Sequence, residues 1–197
     1  MAYVWLSATI LLLIYGIQYS IHSKYAWFFG LVAVVVSQIL VFVFWKDAKF
    51  GTIPNVLIFV ISISLLGYFS FQKRVQRETQ YLLNQNQNIE NTILSENDLQ
   101  TMPEPVKKWL RNSGSIGKPF IHSGKVTQNA EMLLKPGQKN WLSATAIQYT
   151  TLDNPAFIWK VDVKMNRFLN IQGRDKFENG KGEMLIKMNS LINIVNE

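Results

Sequence analysis

GLVAVVVSQILVFVFW, residues 30–45, decides the class of this protein. It carries no charged side chain, and its one strongly polar group is Gln38. Extended back to Tyr25, the run is long enough at about 1.5 Å per residue to cross a hydrocarbon core of ~30 Å. Upstream, AYVWLSATILLLIYGIQYSI (Ala2–Ile21) is also charge-free and of spanning length. It lacks the basic start, short apolar core and small-residue cleavage site of a signal peptide, so it reads as a retained helix. His22, Ser23 and Lys24 leave room only for a tight turn, which makes the two spans an antiparallel hairpin. Downstream, KDAKFGTIPN (Lys46–Asn55) breaks the pattern with charge, Gly51 and Pro54. A third span follows, from about Pro54 to Phe71. Aromatic residues cluster near the ends of all three (Trp5, Tyr25, Trp45, Tyr68), as in an interfacial belt.

The charge distribution confirms this division. From Met1 to Phe71 the charged residues are Lys24, Lys46, Asp47 and Lys49 alone; beyond Gln72 charges are frequent. With no Asp, Glu, Lys or Arg inside a span, a proton relay or ion-coupled transporter is not expected. Gln38 predicts an interhelical hydrogen bond rather than a functional site. The net charge of +7 suits anionic lipid, and a positive-inside bias with a solvated basic sheet face accounts for it without nucleic acid. Lys24, Lys73, Arg74 and Arg77 lie on one side of the membrane, and Lys46 and Lys49 on the other. The richer side belongs in the cytoplasm, which predicts a multi-pass protein of the cell membrane with a cytoplasmic C-terminal domain.

Residues 72–100 read as a helical stalk that loosens into a polar linker, the Asn/Gln run at Asn84–Asn88, with no buried or paired group. A helix is predicted over Thr101–Arg111, capped by Thr101, started by Pro103 and ended by Gly114. Its stripe of Val106, Trp109 and Leu110 is expected to dock on a sheet through Trp109.

From Ile121 the period becomes two. Strand-like runs at Ile121–Leu134, Trp141–Leu152, Ala156–Met165, Phe168–Phe177 and Glu183–Met188 are joined by KPGQKN, DNP, NR and ENGKG. Connections this short force antiparallel pairing, hence a meander. Phe157, Trp159, Val161, Val163 and Met165 share one face, as do Leu169, Ile171, Gly173, Asp175 and Phe177; Asn170, Gln172, Arg174 and Lys176 take the other. Asp175 thus falls on the apolar side, where an ionised carboxylate needs a partner. A turn cap at Glu178–Gly182 or a buried donor is expected, with a ligand or catalytic role as the alternative. The fold class expected is therefore a membrane α-helical part (spans about 2–21, 25–45 and 54–71) plus an α+β soluble domain over 101–197. That domain is an antiparallel meander, a curved sheet or half-barrel with a packed helix.

Catalytic signatures are missing. With no cysteine, thiolate nucleophiles, zinc–thiolate sites and iron–sulfur clusters are excluded. GSIGKP (Gly114–Pro119) has the wrong glycine spacing for a phosphate loop and ends on Pro119 where a hydroxyl is required. Ser113, His122 and Asp175 could form a triad only by arithmetic. No catalytic residue, metal or cofactor is expected.

The runs FWKDAKFGTIPNV (Phe44–Val56), MPEPVKKWLRNSG (Met102–Gly114), MLLKPGQKNW (Met132–Trp141), PAFIWKVDVKM (Pro155–Met165) and GRDKFENGKGEMLIKM (Gly173–Met188) resemble an uncharacterised bacterial membrane family. Its members carry a domain of unknown function behind several membrane helices. The resemblance implies no activity. It implies that the chain is a fragment, since the members are longer at both ends, with more β structure after Glu197. The leading expectation is a membrane-anchored binding module whose concave sheet face holds an apolar ligand or lipid. Trp141, Gln148, Phe157, Trp159, Met165 and Asp175 would line it. The alternative is a structural or protein-interaction module in which the same residues fill a core.

Overall fold

The structure is a computed structural model, which describes residues 2–85, 92–166 and 169–197. Three of its helices are long and apolar enough to cross a membrane. They belong to α1 (Ala2–Ser20), α2 (Ala26–Val43) and α4 (Thr52–Asn84); the short α3 (Trp45–Ala48) and a 3₁₀ turn over Lys49–Gly51 join the last two. Leu6, Ile10, Leu13 and Ile17 of α1, Val35, Ile39 and Phe42 of α2, and Val56, Leu57 and Val60 of α4 are all exposed. Water would not tolerate so continuous an apolar surface, but lipid does.

Two contacts set the register of α2 against the antiparallel α4. At one end Gln38 Nε2 donates to Thr52 Oγ1 (3.1 Å) and Asn55 Nδ2 donates to Gln38 Oε1 (2.9 Å), so Gln38 makes the interhelical bonds expected of it. Nearer the other end Gly30 admits Ser62 and Tyr15, and a Cβ on Gly30 would lie within 2.8 Å of the Tyr15 ring. Continuing this register puts the α1–α2 turn at the height of Tyr68–Ser70 on α4.

Helix α4 does not stop at the membrane. Its 33 residues make one helix about 50 Å long. Phe71, Val75, Thr79 and Leu82, at spacings of four, four and three, form a buried stripe past the third span. This stripe packs on Ala156, Ile158 and Leu185 of the sheet. The segment expected to be an unpaired stalk is therefore the helix that covers the β domain. Of the Asn/Gln run, only Asn84 and Gln85 fall within the described residues.

The sheet has six strands in the order β1-β2-β3-β4-β5-β6, all antiparallel and not closed into a barrel. They are Ser123–Met132, Leu142–Thr151, Ala156–Lys164, Asn170–Glu178, Lys181–Met188 and Ile192–Asn196. The five expected strands are all present, although Phe168, given as the start of the fourth, lies outside the described residues. The β4–β5 hairpin closes on Asn179 and Gly180, both at positive φ (52° and 76°), the backbone of a two-residue Asn-Gly turn. The sixth strand was not expected. The turn before it uses Asn189 and Ser190 at positive φ (47° and 61°) in place of glycine.

A small unit precedes the sheet. Glu96–Leu99 form a 3₁₀ turn with a Ser95–Asp98 capping box, and α5 spans Glu104–Asn112 with Pro103, not Thr101, at its N-cap. Trp109 is 64% exposed and no α5 residue is buried, so Trp109 does not dock this helix on the sheet. That place is taken by α4.

Candidate functional site

Pairing fixes the two faces of the sheet. Val126, Gln148, Trp159, Asp175 and Met184 are successive cross-strand neighbours, one row across five strands. The next row along holds Gln128, Ala146, Val161, Gly173 and Ile186, and the one beyond it Ala130, Ala144, Val163, Ile171 and Met188. These rows make the face opposite α4. Ala144, Ala146, Val161 and Val163 are nonetheless buried, in a cluster joined by Met132, Leu142, Trp159 and Ile171. Two small β2 side chains leave room for the Trp159 indole to lean over them, and its Nε1–H donates across two strands to Gln128 Oε1 (3.2 Å). Gly173 serves the same row, because a Cβ there would meet Val161 Cγ1 at 2.9 Å.

Of the six candidate residues, this face brings together Gln148, Phe157, Trp159 and Asp175. Phe157 stacks on Phe177 at 6.2 Å between centroids and an interplanar angle of 17°. Gln148 Nε2 donates to Thr150 Oγ1 (3.0 Å). Met165 lies just past β3 in the same alternation, and is half-buried. Trp141 does not join them: it precedes β2, out of phase with Ala144 and Ala146, and is 59% exposed. Asp175, half-buried between Trp159 and Met184, has no hydrogen bond or ion pair among the described residues. Among the described residues neither the expected turn cap nor a buried donor meets it, and the side chain is half-buried. His122 Nδ1 pairs with Asp153 (2.9 Å), and Ser113 Oγ donates to Leu110 O (2.9 Å), so Ser113, His122 and Asp175 form no triad. Among the described residues, no three His, Cys, Asp or Glu come together as metal ligands.

The face under α4 is the one whose sequence is polar. Arg174 and Gln172 are 2% and 0% exposed, so the basic alternation of β4 is not a solvated surface. Burial of a guanidinium requires partners. Arg174 Nε faces Glu78 Oε2 of α4 at 3.2 Å, and Nη1 donates to Glu183 Oε2 at 3.1 Å. Glu78 is shared with Arg74 (2.9 Å), and Lys176 pairs with Glu178 (2.9 Å). The Arg174 bond holds the Glu183 carboxyl below the usual carboxylate range, and the Glu178 bond raises Lys176. A second network runs from Gln72 Oε1 to Lys160 (2.7 Å), to Asp162 (2.9 Å), to Gln172 (2.7 Å) and on to the Ser190 hydroxyl. Ser190 in turn rests on Gly67, where a Cβ would lie 2.7 Å from its carbonyl oxygen. The sequence signal for all this was the Phe71, Val75, Leu82 stripe, which continues at helical spacing where a free stalk would have been polar all round.

Two cavities lie away from the open face. One of about 250 Å³ sits at the C-terminal end of α4, among Leu82, Thr151, Ala156 and Glu178. The other, about 830 Å³, opens between α1, α4 and the end of the sheet that carries Lys164 and Asn170.

A model of a family of unknown function, DUF6544, matches residues 92–197, more than half of the chain. The chain belongs to the DUF6544 family. The DUF6544 match takes in the small helical unit and the whole sheet; α4, which covers the sheet, precedes it. No curated protein and no solved structure matches the chain.

Proposed function

We propose that this DUF6544 protein is a membrane-anchored binding module, not an enzyme, whose open sheet face takes an apolar ligand or lipid. One observation carries the reading. The apolar-patterned face of the sheet is the one that needs cover, yet α4 covers the polar-patterned one. The opposite face keeps Val126 and Met184 about half exposed beside the Trp159, Phe157 and Ile171 surface. Attachment to three apolar helices holds that face close to a bilayer, where acyl chains are abundant. The Lys/Arg balance supports a cell-membrane protein with this domain on the cytoplasmic side. The positive charge is directed at lipid rather than nucleic acid.

The test is native mass spectrometry of the full chain purified in mild detergent. Bound lipid should be released by Val126→Glu and by Met184→Glu, since a charge at either exposed position opposes an apolar occupant without disturbing the buried cluster. A number of bound lipids unchanged in both variants defeats the proposal. The rival, a protein-interaction module, is favoured by the shape of the face, because neither cavity described above lies on it. A protein partner lost on Val126→Glu, with no lipid in the wild-type chain, would decide for the rival.

A further inference from the structure

We propose that the cavity between α1, α4 and the end of the sheet is a site for one anionic phospholipid drawn from the surrounding bilayer. It lies on the helix-covered side of the sheet and does not depend on the reading of the open face.

The walls are of two kinds. Val60 and Leu65 of α4 supply an apolar side, while Lys164 and Asn170 supply a polar one; Tyr19 and Tyr68 stand among them. Their heights match a bilayer. The α2–α4 register puts the α1–α2 turn level with Tyr68–Ser70, so Tyr68 marks the interface. Val60 lies two helical turns deeper, about 12 Å along α4. The β5–β6 turn rests on Gly67, which brings the sheet end down to that same height. A molecule in this cavity meets polar groups at the interface and apolar groups below, the order of a headgroup and its acyl chain. Tyrosines at the boundary suit the same position, with an apolar ring below and a hydroxyl above.

Charge selects the lipid. Lys164 is exposed and has neither an ion pair nor a side-chain hydrogen bond among the described residues, unlike Lys160 and Lys176 on the same face. Among the described residues, no carboxylate lines the cavity beside it. An ammonium at the membrane surface with no internal partner attracts an anionic headgroup. The volume of about 830 Å³ falls within the ~300–1,000 Å³ of small-molecule sites. It admits a headgroup and the upper part of one chain, with the rest continuing along the exposed Ile61 side of α4 into the bilayer.

The experiment titrates the full chain, in neutral detergent, with phosphatidylglycerol and separately with phosphatidylcholine, and counts bound lipid by native mass spectrometry. One phosphatidylglycerol should be held about fivefold more tightly than phosphatidylcholine, the contribution of one lysine near an anionic surface. Lys164→Gln should abolish the preference, and being exposed it should leave the thermal midpoint unchanged. Leu65→Trp, which fills the apolar end, should weaken both lipids. Equal retention of the two lipids, or a preference that survives Lys164→Gln, overturns the site. Loss of the phosphatidylglycerol preference on Val126→Glu or Met184→Glu instead would move that lipid to the open face and also overturn it.

Discussion

Removing the carboxylate of Glu78 tests the polar interior that joins α4 to the sheet. Glu78→Gln keeps the shape of the side chain but leaves Arg174, only 2% exposed, with Glu183 as its remaining anion. Taking one partner from a buried ion pair costs about 3–5 kcal/mol. The 19% exposure of Glu78 and the surviving bond to Glu183 reduce this to about 2–3 kcal/mol. For a chain of this size each kcal/mol moves the midpoint by about 2–4 °C, so the expected fall is roughly 4–12 °C. Glu183→Gln is the control. That side chain is 47% exposed and its interaction is screened, which limits the loss to about 0–1 kcal/mol. Replacing both members of the buried pair, Glu78→Leu with Arg174→Met, should recover most of the loss, because no uncompensated charge remains. The assay is thermal unfolding of the detergent-solubilised chain, followed by near-ultraviolet circular dichroism. If Glu78→Gln proves no more destabilising than Glu183→Gln, the reasoning is refuted: the guanidinium would then be wet, and α4 would not be sealing it.

Gly67→Ala should cost about 1–3 kcal/mol, since its Cβ would meet the Ser190 carbonyl oxygen at 2.7 Å and force the β5–β6 turn away; thermal unfolding gives the value. Asp175→Asn should shift the midpoint by less than about 2 °C, because among the described residues no buried donor loses its acceptor; a drop above about 5 °C would reveal a partner for this carboxylate. The pH profile should be flat near neutrality and fall at both ends. Glu183, with its pKa lowered, contributes stability above its unfolded value that is lost as pH falls through the folded one. Lys176, with its pKa raised, contributes stability below its unfolded value that is lost as pH rises through the folded one. Both effects are small at these partly exposed sites, and midpoints measured from pH 3 to pH 11 would show whether either limb is missing.

Period-two alternation recovered five strands and the residues that share each face, because pairing by short turns leaves little choice of register. It could not say which face is covered. That is decided by α4, whose Phe71–Leu82 stripe reads locally as the continuation of a membrane helix. The candidate row of Gln148, Trp159 and Asp175 was legible for the same reason as the strands, whereas Trp141 precedes β2 and, at an odd position, is out of phase with Ala144, Ala146 and Gln148. Arg174 looked like a solvent-facing basic residue, since its compensating anion, Glu78, is distant in sequence and on another element. The sixth strand was hidden by its turn. Asn189 and Ser190 hold a left-handed backbone that sequence alone would assign to glycine, and the Asn170 amide, Gln172 and Gly67 enforce it from outside. Gln38 was readable because a polar amide within a span has few ways to be satisfied other than a neighbouring helix.

The central claim is that α4 covers the polar-patterned face of the sheet and leaves the apolar-patterned face open. The chain has no native cysteine, so single cysteines report on it directly. Met184 and Leu185 are adjacent on β5 and point to opposite faces, the first 42% and the second 2% exposed. In the chain stripped of bound lipid, Met184→Cys should react readily with a water-soluble maleimide. Leu185→Cys should react only after unfolding. Rapid labelling at Leu185→Cys together with protection at Met184→Cys would contradict the account.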